Sequence, residues 1–217
     1  DEDGRFYFLE MNTRLQVEHA VTELVTGLDL VAEQIRIAAG GAISLPDRAI
    51  EPRGAAVECR IYAEDPYQGF IPCPGRIEDL REPAGPYVRL DSGVAKGMEV
   101  TTYYDPMIAK LAVWGRTREE ALDRMRRALS EYLVVGIQTN IPFHFYCLSN
   151  ERFRAGEYSI RFIEEEYDPS RLEKPDRNAA AAIACVLARL GVRSGPQPPR
   201  QEASGWKMSG RLARGRR

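Results

Sequence analysis

Glu10, Asn12, Arg14, Gln16 and Glu18 stand on every second position of the stretch FLEMNTRLQVEH. An extended backbone sends alternate side chains to the same side, so these five polar groups would line one wall. The wall would hold two carboxylates, a carboxamide able to ligate a metal, a guanidinium and a second amide. Leu9, Met11, Leu15 and Val17 between them are apolar and would anchor the other side in a core. Alternation of this kind ordinarily marks a half-buried strand with one wet face. The side-chain types point further. A solvated face has no need of Asn or Gln at fixed spacing, and the run FYFL before Glu10 is apolar on both faces, as in a strand inside a covered sheet. Polar groups at the end of such a strand sit where open α/β sheets place their ligands.

Glu10 and Asn12 offer hard oxygen ligands that suit Mg2+ or Mn2+ bridged to phosphate oxygens, although two ligands are too few to fix a metal alone. Arg14 could hold an anion in its fork. Gln16 and the backbone N–H of Val17 could bind an oxygen of that anion, and Glu18 could act as a base. The plainer reading makes Gln16 and Glu18 capping groups for a following helix. His19 reads as a helix-start or supporting residue, and His144, between Phe143 and Phe145, as structural. Arg60 lies mid-strand, with Glu58 two residues back on the same face. It is either half of an ordinary ion pair or a guanidinium that stabilises a developing oxyanion. Asp105 could orient that guanidinium or be a turn residue before Pro106.

These groups need a scaffold. Arg5 to Met11 reads as a buried strand, followed by a helix from about His19 to Val25. Asp29 is a good N-cap for a second helix with Val31, Ile35, Ala38 and Ala39 as its apolar stripe, stopped at Gly40 and Gly41. The turn-rich stretch GGAISLPDRAIEPRG is the expected domain boundary. In AAVECRIYAED, Val57, Cys59 and Ile61 alternate with Glu58, Arg60 and Tyr62, which gives a strand with one polar face. FIPCPG reads as a loop. Arg76 to Leu80, Tyr87 to Leu90 and MIAKLAVWG are strand candidates. Thr117 and Glu120 form a capping box ahead of a helix whose Leu122, Met125 and Leu129 share a face. Asn140 caps another short helix, with Pro142 in its first turn. From about Pro169 the character changes: an alanine-rich helix spans about Asn178 to Leu190, and a solvated basic tail follows.

Composition narrows the class. The 217 residues are 44% apolar and 29% charged, with a net charge of −2, so the body is not built to attract nucleic acid. No apolar run is long enough to cross a bilayer, and no signal segment opens the chain. Four cysteines without a CxxC pair suggest neither zinc nor a disulfide framework, and a reducing cytoplasm fits best. The chain has no initiator Met and starts directly in a strand, as expected of a piece of a larger protein.

The string FYFLEMNTRLQVEHAVTELVTGLDLVAEQIRIAAG resembles the biotin carboxylase component of biotin-dependent carboxylases, in the ATP-grasp superfamily. The resemblance continues through VECRIYAEDP, FIPCPGRI, RLDSG, YYDPMIAKLAVWG and VVGIQTNIPF, so it covers roughly Phe6 to Tyr167. Within the acyl-CoA carboxylases of acetyl-, propionyl- and methylcrotonyl-CoA type, RIYAEDP and YYDPMIAKLAVWG look closest to the α subunits of the propionyl-CoA and methylcrotonyl-CoA enzymes. The resemblance implies an α+β fold. Residues 1–50 would be the end of an ATP-grasp domain, residues 51–168 a biotin carboxylase C-terminal domain with a mixed or antiparallel sheet and helices, and residues 169–217 a helix and basic tail. It also implies a reaction: ATP and bicarbonate form carboxyphosphate, whose CO2 carboxylates biotin on a carrier domain. Glu10 and Asn12 would serve the metal–ATP site, with His19 beside the ATP. Arg14, Gln16 and Val17 would hold bicarbonate and Glu18 would deprotonate it. Arg60 would stabilise the biotin enolate, with Asp105 nearby. The implied partners are a biotin carboxyl carrier domain, a second copy of the chain, to whose contact Arg89 would contribute, and a carboxyltransferase subunit. Nucleic acid and membrane are not expected partners. Two departures stand out. Ala20 replaces the proline usual after the Glu-His pair; alanine is an excellent helix former, so mild local loosening is the most to be expected. The family's N-terminal domain, glycine-rich lid, ATP-gripping lysines and a second metal-binding carboxylate would lie upstream of Asp1, so the chain alone is expected not to turn over. Another ATP-grasp ligase, or a non-catalytic dimerisation module, is the alternative.

Overall fold

The strand AAVECRIY finds its partner far along the chain. A computed structural model describes residues 5–45 and 50–172, and in it the 55–62 strand pairs antiparallel with 107–115. In chain order the elements are α1 (His19–Thr26), α2 (Leu30–Ala38), β1 (Ala55–Tyr62), β2 (Glu64–Asp65), β3 (Ile71–Pro72), β4 (Gly75–Arg76), β5 (Asp79–Arg81), β6 (Val88–Ser92), β7 (Glu99–Val100), β8 (Met107–Gly115), α3 (Arg118–Glu131), β9 (Leu133–Val135), α4 (Ile141–Ser149), α5 (Glu151–Ala155) and α6 (Phe162–Glu166). The main sheet runs β1-β8-β6, all antiparallel. The remaining strands form three two-stranded pairs, β2-β3, β4-β7 and β5-β9.

The alternation in β1 decides the layering. Val57, Cys59 and Ile61 turn to a core shared with Leu111 and Val113 of β8 and with Ala121, Leu122, Met125, Ala128 and Leu129 of α3. Thr117 caps α3 as expected, its hydroxyl accepting from Glu120 N–H at 3.2 Å. The reciprocal half of the box is displaced by one residue: Glu120 accepts from the backbone N–H of Arg116 at 3.0 Å. The other face of the sheet carries Glu58, Arg60, Lys110 and Asp91, and α1 packs over β1 and β8. A strand with one polar face here does not face solvent alone; it faces a helix that brings complementary groups.

Several expectations change. Arg5 to Met11 is not a strand. Phe6 and Leu9 are 96% and 90% exposed, and no strand among the described residues pairs with them. A strand apolar on both faces has stability only when partners and covering layers are supplied. The stripe of α2 is also not buried, with Ile35 65% exposed. FIPCPG is not wholly loop, because Ile71–Pro72 pairs with Glu64–Asp65. A two-residue pairing survives proline by not requiring its missing N–H. Arg76 to Leu80 is not one strand. Its backbone leaves β7 and joins β9, while Ile77 is fully buried between the two pairings. Gly136, at φ 105°, allows this crossing, since any Cβ there would collide with the Arg76 carbonyl. The Tyr87 strand starts at Val88, because Tyr87 itself sits at φ 59°. Asn140 stands at the N-cap of α4 but makes no cap bond. The helix expected at 178–190 and the basic tail lie outside the described residues.

Candidate functional site

The polar face of the sheet places like charges side by side. Register sets Arg60 opposite Lys110 and Lys110 opposite Asp91. Two cations facing each other across strands would be destabilising by themselves. Oxygen atoms, largely from α1 and its approach, resolve the conflict. Arg60 Nη2 donates to Glu18 Oε2 at 2.7 Å, and Arg60 Nε lies 3.5 Å from Glu58 Oε1. Lys110 Nζ donates to the Val17 carbonyl at 2.8 Å and pairs with Asp91 at 3.2 Å. Arg89 reaches Glu23 at 2.5 Å and Asp91 at 3.0 Å. Three cations on three neighbouring strands thus tie down one short helix.

The charges respond as expected. Burial pushes the Glu58 carboxyl upward, against the pull of Lys110 and Arg60. Burial works against the Arg60 charge, but Glu18 and Glu58 outweigh it and raise the guanidinium further. Burial likewise opposes Asp91, and hydrogen bonds from Arg89 and Lys110 prevail to hold it below the usual carboxylate range. The Glu18–Arg60 pair, with side chains 54% and 40% exposed, can add only about 0–1 kcal/mol to stability. Fold stability is therefore a poor reason for Glu18 to make this contact. Glu18 occupies the N-cap of α1 and makes no cap bond there, although capping by a carboxylate is worth ~1 kcal/mol.

Arg14, Gln16, Glu18 and His19 line one open groove of about 370 Å³ together with Glu33 and Gln34 of α2. Arg14 donates to the carbonyl of Leu15 at 3.3 Å and keeps an exposed side chain. His19 Nδ1 lies 2.8 Å from the Gln16 carbonyl; the acceptor being a carbonyl, Nδ1 carries the proton. Glu33 is engaged by Ser44 and Arg36, each at 2.6 Å. Glu10 and Asn12 are exposed and do not line this groove. The odd–even wall is not formed, because residues 10–16 are irregular and the contacts with the sheet face begin at Val17 and Glu18. No group of three or more His, Cys, Asp or Glu side chains with metal-binding geometry occurs among the described residues. Asp105 accepts from the Met107 N–H at 2.9 Å, the turn role, while Glu18 and Glu58 are the carboxylates on Arg60. Arg89 lies within ion pairs of its own chain. Ala20 is fully buried in α1, where the next N–H, that of Val21, donates to the Glu18 carbonyl at 3.0 Å. Cys59, Cys73 and Cys147 are free thiols, and no helix among the described residues is long and apolar enough to cross a membrane.

Lys110, Asp91 and Glu23 were not legible as site residues. A lone lysine in the apolar run MIAKLAVWG was the available signal for the first. His144 reads as structural in the sequence, and its contact is specific: Nε2 lies 3.0 Å from the Arg60 carbonyl. Burial pushes this imidazole from 6.5 down to about 4. The unfolded chain takes up the proton near pH 6.5 and the folded chain only near pH 4, so stability is full above that window and falls as pH drops through it. The loss is capped at about 3 kcal/mol. Urea midpoints measured between about pH 7.5 and 4.5 should show the fall, and His144→Asn should flatten it. An equal fall in the variant would assign it to other groups.

Comparison with known proteins gives the family. A family model described as "Biotin carboxylase C-terminal domain" matches residues 58–165, and "Carbamoyl-phosphate synthase L chain, ATP binding domain" matches residues 1–46. The biotin carboxylase of Haemophilus influenzae is 53% identical over 165 residues, covering 76% of this chain and 37% of that protein. The mitochondrial propionyl-CoA carboxylase alpha chain of Sus scrofa is 42% identical over 228 residues, covering 98% of this chain and 31% of that one. The biotin carboxylase domain of a thermophilic 2-oxoglutarate carboxylase bound to bicarbonate superposes with a TM-score of 0.73 at 48% identity, covering 76% of this chain and 37% of its own. The dimeric biotin carboxylase domain of Hydrogenobacter thermophilus 2-oxoglutarate carboxylase, in complex with MgADP, ADP and bicarbonate, gives 0.76 at 45% identity, covering 80% and 38%. This chain spans about a third of the length of the relatives it matches. With its antiparallel α+β fold and the groups it gathers beside Arg60, the chain belongs to the biotin carboxylase family and corresponds to the carboxyl-terminal part of such a protein.

Proposed function

We propose that the protein containing this chain carboxylates biotin on a carrier domain, using ATP and bicarbonate, within a cytoplasmic acyl-CoA carboxylase that also holds a carboxyltransferase. The 2.7 Å contact between Glu18 and Arg60 carries this reading, because it sets a base directly against an oxyanion-stabilising cation. Arg14 holds bicarbonate in its fork, with Gln16 and the Val17 backbone as further donors. Glu18 takes the bicarbonate proton. A protonated Glu18 no longer neutralises Arg60, so the guanidinium becomes available to the oxyanion of deprotonated biotin. Lys110 holds the Val17 carbonyl and so the entry to α1, which keeps Glu18 in place. Glu10 and Asn12 are suited to a Mg2+- or Mn2+-bound nucleotide, whose metal would neutralise phosphate charge, and His19 lies along the same segment for the ATP. Self-association through the 51–168 region, with Arg89 near the contact, completes the proposal.

The intact protein should transfer isotopic label from bicarbonate to biotin only when ATP is present. ATP cleavage that ignores bicarbonate, or that responds to ammonia instead, would overturn the assignment in favour of a different ATP-grasp ligase.

A further inference from the structure

The edge of β1 away from β8 is bonded by Asn140, at the N-cap of α4, and by His144 within it. The backbone N–H of Asn140 donates to the Tyr62 carbonyl at 3.2 Å. Its Oδ1 accepts from the Tyr62 N–H at 2.9 Å, and its Nδ2 donates to the Arg60 carbonyl at 3.1 Å. His144, one turn along α4, brings Nε2 to the same carbonyl at 3.0 Å. Because the acceptor is a carbonyl, Nε2 must carry the ring proton. These bonds straddle the point where the β1–β8 register slips, between Ile61 and Tyr62. A slip there swings the side chains that flank it, and Arg60 is one residue away.

Asn140 is 5% exposed. It stands at the N-cap of α4 and forgoes the cap, as Glu18 forgoes its own cap on α1. Each uncapped start costs ~1 kcal/mol. Both side chains are directed to Arg60, one at its guanidinium and one at its backbone. A helix-start amide used for its own helix would leave the Arg60 carbonyl to water or to His144 alone.

We propose that Asn140 and His144 are positioning residues for Arg60: they pair its carbonyl and the following N–H in place of a neighbouring strand, and so fix the direction in which the guanidinium points. This rests on the reading of Arg60 given above. A guanidinium that stabilises an oxyanion must be held to within a fraction of an ångström, and about 1 Å of misplacement can cost 10²-fold.

The test uses the intact protein and two rates, carboxylation of free biotin and bicarbonate-dependent ATP cleavage without biotin. Asn140→Ala should lower the first by about 10- to 100-fold and the second by no more than about threefold. In an Arg60→Ala background, Asn140→Ala should lower carboxylation no further, since it acts through Arg60. If Asn140→Ala does not fold, His144→Asn, which removes only the second donor to the carbonyl, carries the same two expectations at the lower end of that range. Equal losses in both rates, or an undiminished effect in the Arg60→Ala background, overturn the positioning role. A selective loss for Arg60→Ala with none for Asn140→Ala or His144→Asn overturns it as well and leaves the role of Arg60 standing. Equal losses of both rates for Arg60→Ala itself overturn the reading beneath it.

Discussion

Arg60→Ala in the intact protein is expected to lower biotin carboxylation by about 10²- to 10³-fold, the range for removing one preorganised oxyanion donor. Bicarbonate-dependent ATP cleavage without biotin should fall less, by under about tenfold. The difference follows from what Arg60 touches. Its Nη2 contact is the carboxylate of Glu18, at 2.7 Å, so its loss disturbs the base as well as the oxyanion site. Glu18 keeps its place through the Val17–Lys110 bond, which does not involve Arg60. Lys110 is directly opposite Arg60 in register and is 8% exposed, so some positive field survives the substitution. Removal of Arg60 should therefore leave proton abstraction damaged and oxyanion stabilisation more deeply reduced, though not abolished. Parallel measurement of the two rates, with thermal unfolding to exclude a folding defect, decides the matter. Equal losses would mean that the guanidinium serves the base alone.

Leu111→Ala should destabilise the 217-residue chain by about 3–5 kcal/mol, a drop in Tm of roughly 10 °C. Leu111 is fully buried in the central strand of the main sheet, opposite Cys59 on one side and Leu90 on the other. Its neighbours across the core belong to a regular strand and a well-packed helix, which cannot collapse into the vacated space. Ile160→Ala is the matched control: Ile160 is 103% exposed, and its change should stay within about 0.5 kcal/mol. Denaturant unfolding of both variants tests the pair. A Leu111→Ala effect below about 1 kcal/mol would mean that the sheet bearing Arg60, Lys110 and Asp91 is not the stable centre of the molecule.

The strands β1 and β8 and the helix α3 were legible in the sequence because each carries its own periodicity and its own stop signal. Val57, Cys59 and Ile61 alternate, Leu122, Met125 and Leu129 recur at helical spacing, and Thr117 opens the helix. Local geometry turns such patterns directly into buried faces. The residue types of the site were legible too. Arg14, Gln16 and Glu18 come from one segment and Arg60 from another, and the structure puts Glu18 and Arg60 in contact across 42 positions of sequence.

Register, by contrast, was not legible. Nothing in MIAKLAVWG says that Lys110 will stand between Arg60 and Asp91, because pairing between strands is fixed by the fit of whole faces and not by either strand alone. Capping rules also mislead where a better acceptor or donor arrives from afar, as with Glu18 and Asn140, whose side chains leave their own helices for β1. The stretch from Arg5 to Met11 shows the same limit in reverse: its pattern specifies a strand, but a strand's backbone bonds must come from neighbours. Sequence determined which groups are present and which faces are apolar, since those depend on side-chain chemistry and local period. Tertiary structure alone decided which charges meet, because that depends on distances between segments far apart in the chain.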